Sequence, residues 1–162
     1  MEVVDKANKL AELHKDTDPS QDFLPLQGTD YVEFYVGNAK QSAYYYQVAF
    51  GYKLVAYAGP ETGVKDKASY VLEQGKVRLV LTTSLDPNSL ISEHVKKHGD
   101  GVKVLALWVD DAEYSWKETT KRGAVSHEEP KKLKDEDGEV TLASIKTYGE
   151  TIHTFVDRSN YS

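Results

Sequence analysis

Tyr31–Gly51, YVEFYVGNAKQSAYYYQVAFG, reads as a strand, a capped helix and a glycine stop. Val32, Phe34 and Val36 alternate with Tyr31, Glu33 and Tyr35, the period of a strand with two different faces. The first set predicts packing beneath a helix; the second predicts an opposite, concave face. Asn38 is a good N-cap, and Gln41 stands three residues on, at the capping-box position. Ala39, Ala43, Tyr46 and Phe50 make the helix's apolar stripe, and Gly51 is free to take the positive φ that ends it.

A degenerate copy follows at Val104–Gly123, VLALWVDDAEYSWKETTKRG. Tyr31 overlays Val104, Tyr35 overlays Trp108, Val36 overlays Val109, Asn38 overlays Asp111 and Gly51 overlays Gly123, with one residue missing late in the second helix. Such self-similarity implies two βα-led modules. After the first helix come strands at Lys53–Tyr57, Ala68–Glu73 and Val77–Thr82, with Gly75 turning between the last two. A connector helix is expected near Ser89–Lys97. The second module has a strand at Val102–Val109, a helix capped by Asp110 and Asp111, and a short strand at Ala124–His127. A charged hairpin over Glu128–Glu139 and strands at Val140–Thr147 and Thr151–Asp157 complete it. The expected architecture is α+β: βαβββ modules at about 30–83 and 102–157, joined by a connector at 84–101 into one cupped mixed sheet with outer helices. Residues 1–22 read as an arm, a short helix over Val4, Ala7, Leu10 and Ala11 broken at Pro19, and residues 23–162 as one domain.

The 162 residues are 40% hydrophobic, enough for one domain with its own core. A net charge of −6 excludes a nucleic-acid partner, whose phosphates select clustered Lys and Arg. The densest basic run, Lys131–Lys134, is followed at once by Asp135, Glu136 and Asp137. No cysteine is present, which removes disulfides, thiolate metal sites and Cys nucleophiles and fits a reducing compartment. No apolar run is long enough to cross a bilayer, and the charged N-terminus lacks a signal-peptide core. A cytoplasmic protein without a membrane partner is expected.

Chemistry is sparse along the chain. His94 and His98 are i,i+4 on the connector helix, a ligand-like spacing, but no HExxH pattern accompanies them. They read as two exposed histidines on a polar helix. His14 and His127 have nothing to pair them, and His153, inside the last strand, reads as a hydrogen-bonded structural histidine. No phosphate loop opens a helix, and no nucleophile elbow is present. Glu33 is the one carboxylate within an apolar strand on the concave side. It is either a base or ligand there, or a polar group at a rim or interface. Tyr44, Tyr45 and Tyr46 fan around their helix, so one packs inward and the others meet another subunit or domain.

Four separated runs resemble a known family: EFYVGNAKQSAYYY (33–46), LVAYAGPETG (54–63), VKKHGDGVKVLAL (95–107) and IKTYGETIHTFVDRSNY (145–161). They are similar, from about Phe23 to Tyr161, to the N-terminal half of 4-hydroxyphenylpyruvate dioxygenase, of the vicinal-oxygen-chelate superfamily that includes glyoxalase and bleomycin-resistance proteins. The resemblance implies a two-domain Fe(II) enzyme of tyrosine and phenylalanine catabolism that makes homogentisate and CO2 from 4-hydroxyphenylpyruvate and O2. It implies that the iron and its facial triad of two histidines and a glutamate belong to the C-terminal domain. The degenerate counterparts here are Tyr31, Val104 and Thr154, with His153 adjacent, so no metal, cofactor or catalytic residue is expected in this chain.

Two partners follow from the resemblance, the C-terminal catalytic domain of the same protein and further copies in a homo-oligomer. Hydroxymandelate synthase shares the two-domain plan and is the rival within the resemblance. A rival of another class is a stand-alone small-molecule-binding protein of the same fold, with a concave pocket of Tyr31, Glu33, Tyr35 and Trp108. The bland alternative for these aromatics is that they fill the cup. A metal enzyme complete in the chain needs three ligands converging on one face, which the linear order does not place together.

Overall fold

The computed structural model describes residues 22–161; the N-terminal arm helix and His14 lie outside them. Among the described residues are eight strands and three α-helices. The first half runs β1 (Gly28–Tyr35), α1 (Ala39–Phe50), β2 (Lys53–Ala58), β3 (Lys67–Gln74) and β4 (Val77–Ser84). Helix α2 (Leu90–His98) connects it to β5 (Gly101–Trp108), α3 (Ala112–Lys121), β6 (Ser126–Asp135), β7 (Gly138–Lys146) and β8 (Ile152–Tyr161).

The strands form one sheet in the order β2-β3-β4-β1-β5-β8-β7-β6. The order is palindromic about the antiparallel β1–β5 pair, with β1 parallel to β4 and β5 parallel to β8. Each half is thus a βαβββ module, and the modules meet through their first strands.

Local chemistry explains the elements. Asn38 Oδ1 accepts the Gln41 N–H at 3.0 Å, and Gly51, at φ 75°, donates to Gln47 O at 3.1 Å while Tyr52 reaches back to Tyr46 O. Asp111 caps α3 in the same way, accepting from the Tyr114 N–H at 2.8 Å. Ser89 caps α2, its Oγ accepting the Ser92 N–H. Ala39 and Ala43 are fully buried and let α1 approach the sheet over Leu72, Leu79 and Leu81, with Val32, Phe34 and Tyr46 beside them. In the second half Val109, Ala112, Ile145 and Phe155 form the matching layer under α3. The concave face of that half is also apolar, with Val104, Ala106, Val140 and Val156 against Tyr31.

Two expectations need correction. Phe50, the last member of the α1 stripe, is 53% exposed and touches only the rings of Tyr45 and Tyr46 among the described aromatic contacts. The helix ends at Gly51 before its stripe regains the sheet. The charged hairpin over Glu128–Glu139 is present, but no short strand stands apart before it: β6 starts at Ser126, after the expected Ala124, and runs unbroken to Asp135 before turning into β7. As the sheet's edge β6 pairs on one side only, so its Lys and Glu side chains stay in water, and Pro130 falls within a register shift between Glu128 and Lys131.

Candidate functional site

The inner face of the cup is where chemistry would sit in such a sheet, and its centre is tied up in hydrogen bonds. Glu33 projects inward from β1, and its carboxylate accepts the Thr82 hydroxyl at 2.6 Å. Thr82 is in turn 2.9 Å from Ser69 Oγ. Burial pushes the Glu33 carboxyl above its usual range, while the Thr82 hydrogen bond and the Lys67 charge pull the other way. Tyr31 is pushed up to about 12, first by burial and then by the nearby Glu33 and Asp30 charges. Tyr35 is also raised to about 12, by burial and by Glu33.

The degenerate triad positions offer no ligand set on this face. Tyr31 and Thr154 both pair with Ala106, so those three share one row across β1, β5 and β8. Val104 instead pairs with Glu33 and Ile152, one pleat away. Val104 has no donor atom and is 5% exposed within the apolar cluster. Thr154 is buried, its hydroxyl 2.9 Å from Ser144 Oγ. An iron does not fit here.

At one end of the cup Asp30 joins the two modules. Arg158 of β8 donates to it from Nε at 2.7 Å and Nη2 at 2.9 Å, and Arg78 of β4 lies 3.7 Å away. Arg78 also donates to Glu73 at 2.7 Å. Beside them opens a cleft of about 650 Å³ whose lining includes Trp108, Arg78, Arg158 and Asp30. Trp108 is 48% exposed and does not fill the cup. Of the four residues expected to share one pocket, Tyr31, Glu33 and Tyr35 follow one another on one face of β1, close enough for the Glu33 charge to act on both tyrosines. Trp108 lines this cleft, and Tyr31 lines a smaller one of about 220 Å³ with Leu133, Val140 and Tyr161. Glu33 and Tyr35 line neither.

The other end is closed by α2. His94 is not exposed as its polar helix implied: it is 6% exposed, edge-on to Tyr35 with ring centres 5.5 Å apart. His98 is the exposed one, its Nε2 3.0 Å from a Glu150 carboxylate oxygen. Lys97 also binds Glu150, whose carboxyl falls to about 2, chiefly through hydrogen bonds from Lys97 and His98. His153 lies in β8 as expected, but its Nδ1 is buried without a hydrogen-bond partner. Asp30, Arg158 and Glu150 escaped the sequence reading, because nothing near them in the chain marks their partners.

Comparison with known proteins fits this geometry. Residues 21–162 match the family model described as hydroxyphenylpyruvate dioxygenase, HPPD, N-terminal. The chain is 46% identical over 138 residues to a 4-hydroxyphenylpyruvate dioxygenase of Dictyostelium discoideum, covering 84% of this chain and 38% of that one. It is 42% identical over 128 residues to the zebrafish (Danio rerio) protein of that name, covering 78% of this chain and 32% of that one. A mutant of 4-hydroxymandelate synthase from Streptomyces coelicolor superposes with a TM-score of 0.77 at 29% identity, over 83% of this chain and 39% of that one. Methylmalonyl-CoA epimerase from Mycobacterium tuberculosis, at 20% identity and a TM-score of 0.63, covers 82% of this chain and 88% of its own, and shares the fold.

Paired βαβββ modules with a cupped sheet define a vicinal-oxygen-chelate, glyoxalase-like domain. The chain spans roughly a third of the length of the curated relatives it matches, 38% and 32% of these two. Within that class it belongs to the family of 4-hydroxyphenylpyruvate dioxygenase N-terminal domains.

Proposed function

We propose that this chain is the non-catalytic N-terminal domain of a 4-hydroxyphenylpyruvate dioxygenase. In the intact enzyme the C-terminal domain would hold Fe(II) and convert 4-hydroxyphenylpyruvate and O2 to homogentisate and CO2. The observation that carries the reading is the state of the triad positions: Val104 is sealed in an apolar cluster, and Thr154 is bonded to Ser144. A face packed in this way supports structure, not oxygen chemistry. The test is oxygen uptake and homogentisate formation with Fe(II) and 4-hydroxyphenylpyruvate, for the 162-residue chain and for the same chain fused to a C-terminal domain of the family. The fusion should turn over and the chain alone should not; turnover by the chain alone would overturn the reading.

The structural likeness to a 4-hydroxymandelate synthase favours one second reading. The intact protein would then release 4-hydroxymandelate, and product analysis of the fusion with the native C-terminal half separates the two.

The outer surface of α1 supports a contact role. Tyr44, Tyr45, Val48 and Phe50 are more than half exposed, and Leu54 and Val55 of edge strand β2 are exposed as well. Such a face is suited to a second copy or to the catalytic domain. Tyr45→Glu with Phe50→Glu should lower the sedimentation coefficient of a self-associating chain; an unchanged coefficient would remove this surface from the interface. No helix among the described residues is long and apolar enough to cross a membrane.

A further inference from the structure

We propose that His94, His98 and Glu150 form a binding site for a divalent transition metal of the zinc or cobalt kind, stapling α2 to the turn before β8. The site is separate from the triad positions on the sheet, and it does not depend on the functional reading above.

The three side chains come from segments more than fifty residues apart and offer two imidazoles and a carboxylate. Their ligand atoms all lie within 4.8 Å of one another. Donors around one zinc ion, each at about 2.0–2.2 Å, are roughly 3.4 Å apart, so closure asks for about an ångström. His98 and Glu150 are both exposed, and their ligand atoms already stand 3.0 Å apart. The i,i+4 spacing on α2 puts both imidazoles on one helix face, with ring centres 4.7 Å apart.

His94 supplies the independent observation. It is 6% exposed, Tyr35 packs edge-on against it, and its buried Nδ1 has no hydrogen-bond partner. A buried imidazole usually satisfies both nitrogens; this one does not.

Glu150 is presented with some strain. It is the non-glycine residue with positive φ among the described residues, at 68°, directly after Gly149 at 63°. The turn holds its carboxylate against α2 while Lys103 Nζ donates to its backbone carbonyl at 2.5 Å. Lys97 already places one cationic group on that carboxylate. A metal would displace this ammonium, which makes Lys97 a competitor and gives the test its sign. Imidazole and carboxylate donors without thiolate suit zinc, cobalt or nickel better than copper(I), calcium or magnesium.

The experiment is calorimetric titration of the metal-free 162-residue chain with Co(II) and Zn(II), with the Co(II) visible spectrum recorded alongside. The variants are His98→Ala, Glu150→Gln, Lys97→Met and, as a control histidine elsewhere, His127→Ala. Circular dichroism confirms that each is folded. One ion per chain is expected. His98→Ala and Glu150→Gln should each weaken binding by more than about tenfold. Lys97→Met should tighten it by about tenfold, since one nearby positive charge is removed. His127→Ala should match the unaltered chain, and Zn(II) should raise the melting temperature of the unaltered chain but not of His98→Ala. Absence of uptake by both the unaltered chain and Lys97→Met at millimolar metal would overturn the proposal. So would uptake that His98→Ala leaves unchanged.

Discussion

Replacing Asp30 by Asn removes the charge that joins the modules while keeping the side chain's shape. Asp30 is 6% exposed in its side chain and takes two hydrogen bonds from Arg158, which is 31% exposed. Breaking a fully buried pair by removing one partner costs about 3–5 kcal/mol. Here Arg158 reaches water, and Asn keeps one acceptor, so the expected loss is about 2–3 kcal/mol. For a domain of this size that is a fall in melting temperature of roughly 5–10 °C, at ~2–4 °C per kcal/mol. The assay is urea unfolding of Asp30→Asn, Arg158→Met and the double variant. The cycle matters because the Arg158 guanidinium also lies 5.7 Å from the Tyr161 ring centre. Both variants that carry Arg158→Met remove that cation–π interaction, so it cancels from the coupling energy. A coupling above about 1 kcal/mol is expected; one below about 0.5 kcal/mol, the range of an exposed pair, would refute the claim that this link welds the modules.

Other perturbations test single layers. Phe155→Ala empties a fully buried position under α3 and should cost about 3–5 kcal/mol in urea unfolding; a loss under about 1 kcal/mol would contradict its burial. Gly51→Ala meets only ordinary van der Waals packing against Gln74 Nε2 at 3.5 Å, so its cost is the left-handed backbone alone, about 1 kcal/mol by denaturant midpoint. Glu33→Gln tests the raised carboxyl. A folded-state pKa above the unfolded one gives stability that is present below the unfolded value and lost as pH rises through the folded value. The variant should therefore gain on the unaltered chain as pH climbs from 4 towards 7. A difference that stays flat across that range would mean that the carboxyl is not raised.

Much of the fold is legible in the chain because its signals are local. Period-two alternation over Tyr31–Val36 sorts the side chains that face α1 from those that face the cup, and the structure keeps that sorting. Asn38, Ser89 and Asp111 cap their helices through bonds to residues three positions away, and Gly51 ends α1 through its own backbone freedom. The module repeat made the paired architecture readable before any packing was known. Edge strand β6 was less legible, since its composition is that of a solvated loop, and only its place at the end of the sheet lets so charged a segment extend.

The candidate site was mostly illegible. Glu33, Tyr35 and Trp108 point inward by parity, yet parity carries no information on distance along a strand, and of the three only Trp108 lines the cleft beside Asp30. His94 looked exposed because its helix neighbours are charged; Tyr35, fifty-nine positions earlier, buries it.

Sequence alone determined where α1 and α3 begin and end and which face of β1 is apolar, because those choices rest on interactions within four residues or on side-chain alternation. Tertiary structure alone decided which distant residues meet: Arg158 with Asp30 across the modules, Thr82 with Glu33 within the first, and Glu150 with His98 of the connector helix. Those pairs depend on the strand order and on how α2 closes the end of the sheet, which no local spacing encodes.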